Sequence, residues 1–213
     1  MSGKLSEIWQ DPAEAVGELL IEKKVGEFSP VLAEVPLLST AIAAYKSVGA
    51  ISDYLLARKV QQFYTAWEKL DAKERQKVYQ KVQKKSKAFI EKLLFILAQQ
   101  EDLQKCYLLG VLTTAYLRGT LRRSDYFDLI ETVSALTLSD LRQLHKLSDQ
   151  GIIIPQRHIG ERYATLFVSR GLLVTEAALP EEQRDIESPF YRITALGMRF
   201  VEHLHDSDLG VKS

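Results

Sequence analysis

The chain has 213 residues, of which 46% are apolar and 26% are charged, as in a soluble globular protein. Its 28 Lys and Arg equal its 28 Asp and Glu, which excludes the overall basic charge of many nucleic-acid-binding proteins and the acidic excess of a solvating tail. Cys106 is the single cysteine, which excludes an intrachain disulfide and a cysteine-rich zinc site. We expect a reducing, cytoplasmic location, and residues 1–11 lack the apolar run of a secretory signal.

The first predicted helix begins at Asp11 and Pro12 and ends near Gly26, because Asp caps helices and Pro fits their first turn. Residues 28–36 contain two prolines and are predicted to be a connector. From there to residue 136 the pattern indicates further helices and no strand, so residues 1–136 are predicted to form an irregular helical bundle.

Residues 37–57 are the least charged part of the chain and are predicted to form an apolar helix. The segment is nominally long enough to span a membrane, but Lys46 and Asp53 lie inside it, so we interpret it as a non-spanning helix. It would be an internal core helix, or it would lie on a membrane surface or dock on a protein partner. The candidate contact residues follow the helical spacing: Leu38, Ile42, Tyr45, Val48 and Ile51.

A Lys-rich helix is predicted over residues 72–98, after an aromatic helical stretch that begins beyond Ala57. Asp71 followed by Glu74 indicates its start, and Ser86 marks a candidate break. Between Lys73 and Lys92 there are eight basic residues and two acidic ones. Such a face would contact anionic lipid or phosphates, or it is an ordinary solvated face. The candidate contact residues are Lys77, Lys81, Lys84 and Lys85.

The next helix is predicted over residues 102–117 and contains Cys106. Cys106 falls within the apolar pattern and has no His in the same segment, so it is expected to be a core residue rather than a nucleophile. Gly119 is predicted to end this helix and Ser124 to cap the one that follows.

The C-terminal third has a different order of elements. A helix from Ser139 is followed by a short edge strand at residues 152–155, and a helix over residues 158–170 is followed by a strand at 172–175. After a polar loop come a strand at residues 190–194 and a closing helix at 195–205.

The segments SRGLLVTEA and YRITALGMRFVEHL resemble the ending of winged-helix proteins, in which a G-L-L strand precedes Y-x-I-T-x-L-G and a terminal helix. The resemblance implies a winged-helix-like α+β module with a short hairpin over residues 137–206, followed by a tail at 207–213. In architecture, the whole chain also resembles uncharacterised bacterial helical proteins and the abortive-infection alpha family. That second resemblance implies a role in the bacterial response to phage.

A winged helix binds DNA by placing the helix before its hairpin in the major groove, so the resemblance makes Arg157, Arg162 and Arg170 candidate nucleic-acid contacts. The predicted wing, residues 175–188, carries five acidic residues and one arginine, which disfavours DNA. The connection between residues 151 and 158 also looks too short for the usual separate second helix.

The sequence contains none of the motifs that would place a phosphate, a zinc ion or a catalytic nucleophile. We therefore predict a mainly α, non-enzymatic, cytoplasmic protein without cofactor or metal, with peripheral contact at the inner membrane as an option. It would act through protein contacts, including self-association, or through membrane-surface contacts. The alternative is a winged-helix nucleic-acid-binding regulator, and a small-molecule-binding bundle is a third class.

Overall fold

The computed structural model describes residues 50–149, 151–176 and 190–206. Over these ranges the protein is mainly helical, with nine helices and a small three-stranded antiparallel sheet, as the sequence predicts. The chain divides into two compact units, residues 1–106 and 107–213. The predicted module from residue 137 is therefore part of a larger second unit.

The first unit contains three consecutive helices, α1 (Ala50–Glu68), α2 (Ala72–Gln83) and α3 (Lys87–Gln99). The core of α1 is aromatic: Phe63, Tyr64 and Trp67 are buried with their rings 4.6 to 5.7 Å apart. The ring of Trp67 also meets that of Tyr79 on α2 at 5.5 Å. Since α1 runs through residue 57 without interruption, the predicted end of the apolar helix at that residue is wrong.

The predicted Lys-rich helix over residues 72–98 is in fact two helices, α2 and α3. The Asp71 carboxylate accepts a hydrogen bond from the Glu74 amide at 2.8 Å, which confirms the predicted start of α2. The Ser86 hydroxyl accepts from the Phe89 amide at 3.3 Å and caps α3. A side-chain cap of this kind satisfies an amide at the start of a new helix, so the helical segment is interrupted near Ser86.

Helix α4 (Leu103–Arg118) crosses from the first unit into the second, which continues with α5 (Arg123–Ala135) and α6 (Leu138–Ser148). Gly119 ends α4 with a φ of +88°, as predicted. The predicted cap at Ser124 is wrong, because α5 begins at Arg123 and the Ser124 hydroxyl donates to the Asp125 carboxylate instead.

The remaining elements of the second unit are β1 (Ile153–Pro155), α7 (Gln156–Ile159), α8 (Glu161–Ser169), β2 (Leu173–Glu176), β3 (Phe190–Ile193) and α9 (Ala195–Asp206). The strand order is β1-β3-β2, so β1 is an edge strand, as predicted from its terminal proline. Val174, Arg192 and Ile153 are aligned across the three strands. Apart from the division of one helix into α7 and α8, this order of helices and strands is the one predicted from the sequence.

The predicted single helix over residues 158–170 is wrong, because α7 and α8 are separate helices joined at Gly160. Gly160 has a φ of +72°, which interrupts the helix and which glycine adopts without steric cost. The structure therefore contains a short second helix where the sequence was expected to leave no room for one.

Within the part of the chain that the structure describes, no helix is both long and apolar enough to cross a membrane. The predicted first helix, residues 37–49 of the apolar helix, most of the predicted wing and the tail at 207–213 lie outside the described residues.

Candidate anion-binding surface

The orientation of α2 is fixed by its contacts with α1. Val78 and Val82 are buried, and the Tyr79 ring packs on Trp67. At the same end, the Arg75 guanidinium donates to the main-chain carbonyls of Glu68 and Leu70, each at 3.0 Å. These contacts determine which side of α2 faces solvent.

From position 73 onward, the solvent-facing side of α2 carries only two types of side chain. Every exposed residue from position 73 to position 84 is a lysine or a glutamine, and none is acidic. We call this surface the Lys/Gln face, and its members are Lys73, Gln76, Lys77, Gln80, Lys81, Gln83 and Lys84. A surface with four cations and no anion is suited to binding negatively charged groups.

The lysines follow one another at helical spacing. Lys73, Lys77 and Lys81 are separated by one turn each, which is a rise of about 6 Å per step, and Lys84 extends the row to about 16 Å. Side chains four residues apart lie on the same side of a helix. The row is therefore a nearly straight line of positive charge along α2.

The acidic residues near α2 have other positions. The Asp71 carboxylate is used in the helix cap, and Glu74 is half-buried. On α3, the Glu91 carboxylate lies 3.5 Å from the Lys87 ammonium. Among the described residues, the Lys/Gln face itself contains no acidic side chain.

Three of the four predicted lysines, Lys77, Lys81 and Lys84, lie on this face. Lys85 does not, because it is half-buried and its ammonium lies 5.5 Å from the centre of the Phe89 ring. The sequence prediction missed Lys73 and the three glutamines as members of the surface. The signal was present in the spacing of Val78 and Val82, which marks the buried side and therefore the opposite one.

The apolar candidates cannot be placed in the same way. Leu38, Ile42, Tyr45 and Val48 lie outside the described residues. Ile51 lies in the first turns of α1, but its side chain is outside the description. The expected membrane or partner contact through these residues stays a prediction.

The three candidate arginines of the nucleic-acid alternative are all exposed in the second unit. Arg157 lies in α7, Arg162 in α8, and Arg170 directly after α8. Nη2 of Arg162 lies 3.3 Å from Oδ1 of Asp140, and its guanidinium lies 5.2 Å from the Tyr163 ring. Arg162 is therefore occupied by contacts within its own unit.

Cys106 is fully buried, which confirms the prediction that it is a core residue. Burial raises the pKa of its thiol to about 11, so the thiol is protonated at neutral pH. Among the described residues, no three His, Cys, Asp or Glu side chains are grouped as ligands for a metal ion.

Comparison of the chain with protein-family models, with curated proteins and with solved structures finds no match.

Proposed function

We propose that the chain is a non-enzymatic binding protein that contacts an anionic partner through the Lys/Gln face. The observation that carries the proposal is the composition of this face, in which every exposed side chain from Lys73 to Lys84 is Lys or Gln. An ordinary solvated helix gains stability from mixing the two signs of charge at a spacing of three or four residues.

The arrangement is unfavourable for α2 in the absence of a partner. Each like-charged pair at this spacing costs a few tenths of a kcal/mol, on the order of 0.2–0.5. Near an anionic surface the same lysines are favourable, because each contributes about 1 kcal/mol of binding free energy. Binding would therefore relieve the repulsion within the Lys/Gln face.

The arginines of the second unit are the weaker candidates for such a contact. Of the three candidate arginines, Arg162 is paired with Asp140, while Arg157 and Arg170 are exposed. By sequence, residues 175–188 carry five acidic residues against Arg184 alone, which would repel phosphates. The winged-helix regulator is thus the less favoured alternative.

The remaining expectations come from the sequence and the resemblance. A cytoplasmic protein with peripheral contact at the inner membrane, or with a protein partner, is compatible with an anion-binding surface. A role in a bacterial response to phage is an implication of the resemblance alone.

Long-chain inorganic polyphosphate is a suitable test probe because it carries negative charge and little else. Calorimetric titration of the full chain should show binding that weakens between about 50 mM and about 200 mM salt. A variant with Lys73, Lys77, Lys81 and Lys84 all changed to Gln should lose roughly several hundredfold in affinity, because four lysines that each contribute on the order of 1 kcal/mol together contribute about 4 kcal/mol.

The matched control changes the same amount of charge elsewhere. Its substituted residues are exposed and lie in the second unit: Arg118, Arg122, Arg142 and Lys146, each changed to Gln. It should bind polyphosphate nearly as well as the parent. Equal losses in the two variants, or no binding by the parent at low salt, would overturn the proposal.

A further inference from the structure

We infer that the anionic partner of the Lys/Gln face is duplex DNA, contacted along its phosphate backbone and groove edges. This inference rests on the proposed function and names the partner of the same surface. It uses the chemistry of the whole face, including the three glutamines, rather than its charge alone.

The face has no apolar side chain that could enter a bilayer. The apolar residues of α2, Val78 and Val82, are buried within the first unit. A helix that lies in a membrane surface places an apolar side between the lipid chains, and most of its binding energy comes from that burial. The apolar side of α2 is buried in the fold and is therefore not available to enter a bilayer.

The glutamines distinguish nucleic acid from lipid. Gln76, Gln80 and Gln83 alternate with the lysines along the exposed side of α2. A carboxamide both donates and accepts hydrogen bonds, and in DNA complexes Gln contacts phosphate oxygens and the edge of adenine. A plane of lipid head groups offers no comparable pattern of base edges, so the glutamines would add little there.

The dimensions also favour a duplex. The row of lysines is about 16 Å long, and duplex DNA carries one negative charge per about 1.7 Å of its axis. An α-helix is about 10–12 Å wide with its side chains, which matches a major groove about 12 Å wide. The Lys/Gln face has no aromatic ring on which unpaired bases would stack, so a single strand is the less suitable form.

The test is fluorescence anisotropy of the full chain with a labelled duplex of about two helical turns, roughly 20 base pairs. Four lysines predict that the logarithm of affinity falls against the logarithm of salt concentration with a slope of about −3 to −4. Changing Lys73, Lys77, Lys81 and Lys84 to Gln should bring this slope close to zero. The control variant of the second unit should keep the parental slope.

A second variant tests the glutamines without changing charge. Replacing Gln76, Gln80 and Gln83 by Ala preserves helix propensity, so α2 should remain folded, as circular dichroism will show. Loss of these hydrogen bonds should weaken duplex binding about tenfold, while the salt slope stays at its parental value. Unchanged duplex affinity in this variant would contradict the inference.

Two further arms separate this inference from the proposed function. One strand of the labelled duplex without its complement, and vesicles of phosphatidylcholine with phosphatidylserine, are titrated in parallel. Lysine-dependent binding to vesicles or to the single strand without binding to the duplex would overturn the DNA inference and leave the anion-binding function in place. Failure to bind the duplex, the single strand, the vesicles and polyphosphate would overturn both.

Discussion

The main-chain carbonyl of Leu172 occupies the space that a side chain on Gly197 would need. A β-carbon at position 197 would overlap the Leu172 oxygen and would lie 2.8 Å from Cγ2 of Ile193. Gly197 is buried in the first turn of α9, while Leu172 precedes β2 and Ile193 ends β3. Glycine therefore allows α9 to pack directly against the hairpin.

Replacing Gly197 by Ala should destabilise the protein, because main-chain atoms of Leu172 would have to shift. Overpacking of this kind costs about 1–3 kcal/mol, which outweighs the roughly 1 kcal/mol that Ala gains over Gly in a helix. Urea unfolding followed by circular dichroism measures the change. Glu202→Ala, at an exposed position of the same helix, should change stability by less than about 0.5 kcal/mol. A more stable Gly197→Ala variant would refute the steric explanation.

Thr194 holds the same junction by hydrogen bonds. Its hydroxyl donates to the Gly171 carbonyl at 2.6 Å and accepts from the Gly197 amide at 3.0 Å. Thr194→Val keeps the size of the side chain and removes both bonds, so it should lower the free energy of unfolding by about 1–2 kcal/mol. Thr194→Ser keeps both bonds and should cost less. Equal losses in the two variants would show that the hydroxyl does not stabilise the junction.

Local signals account for what the sequence predicted correctly. The caps at Asp71 and Gly119 and the edge strand that ends at Pro155 each depend on residues a few positions apart. Such contacts can be predicted from the sequence, because capping and turn interactions join residues within about one helical turn of each other.

The errors have a different origin. Helical spacing continues on both sides of Gly160, and only the φ of +72° in the folded chain separates α7 from α8. Helix α1 also continues through residue 57, and the orientation of α2 depends on its packing against α1. The spacing of Val78 and Val82 marks the buried side of α2 in the sequence, but which residues are exposed opposite them depends on how α2 packs against α1. Helical propensity alone does not supply that information.

The ion pair between Asp140 and Arg162 joins α6 to α8. Its two residues differ in burial and in the number of hydrogen bonds they make. Asp140 is buried, and its Oδ2 accepts from the amide and the hydroxyl of Thr137 in a capping box. Arg162 has a side chain that is 74% exposed. Removing the acid therefore loses several hydrogen bonds, whereas removing the arginine loses an ion pair and a ring contact made by a largely exposed side chain.

We expect Asp140→Ala to lower the free energy of unfolding by about 1–2 kcal/mol and Arg162→Ala by less than about 1 kcal/mol. Denaturant titration of both variants measures this difference. Arg162→Ala should also leave duplex affinity unchanged, because the DNA contact is assigned to α2. A tenfold loss of duplex affinity in Arg162→Ala would instead support the winged-helix alternative.

Cys106 should make the protein less stable in alkaline solution. Burial raises the pKa of its thiol to about 11, above the ordinary value near 9. Between these two values the unfolded chain loses the thiol proton while the folded chain keeps it, so unfolding becomes easier as the pH rises. A shift of this size corresponds to about 2–3 kcal/mol, fully present below pH 9 and lost by about pH 11.

The measurement is urea unfolding of the parent and of Cys106→Ala at a series of pH values from about 8 to about 11. The Ala variant will be less stable at every pH because it leaves a small cavity, but its stability should fall less steeply with pH. The difference between the two curves isolates the thiol, since lysines and tyrosines titrate in both proteins. Parallel curves would show that the thiol has the same pKa in the folded and unfolded chains, contrary to its burial at the start of α4.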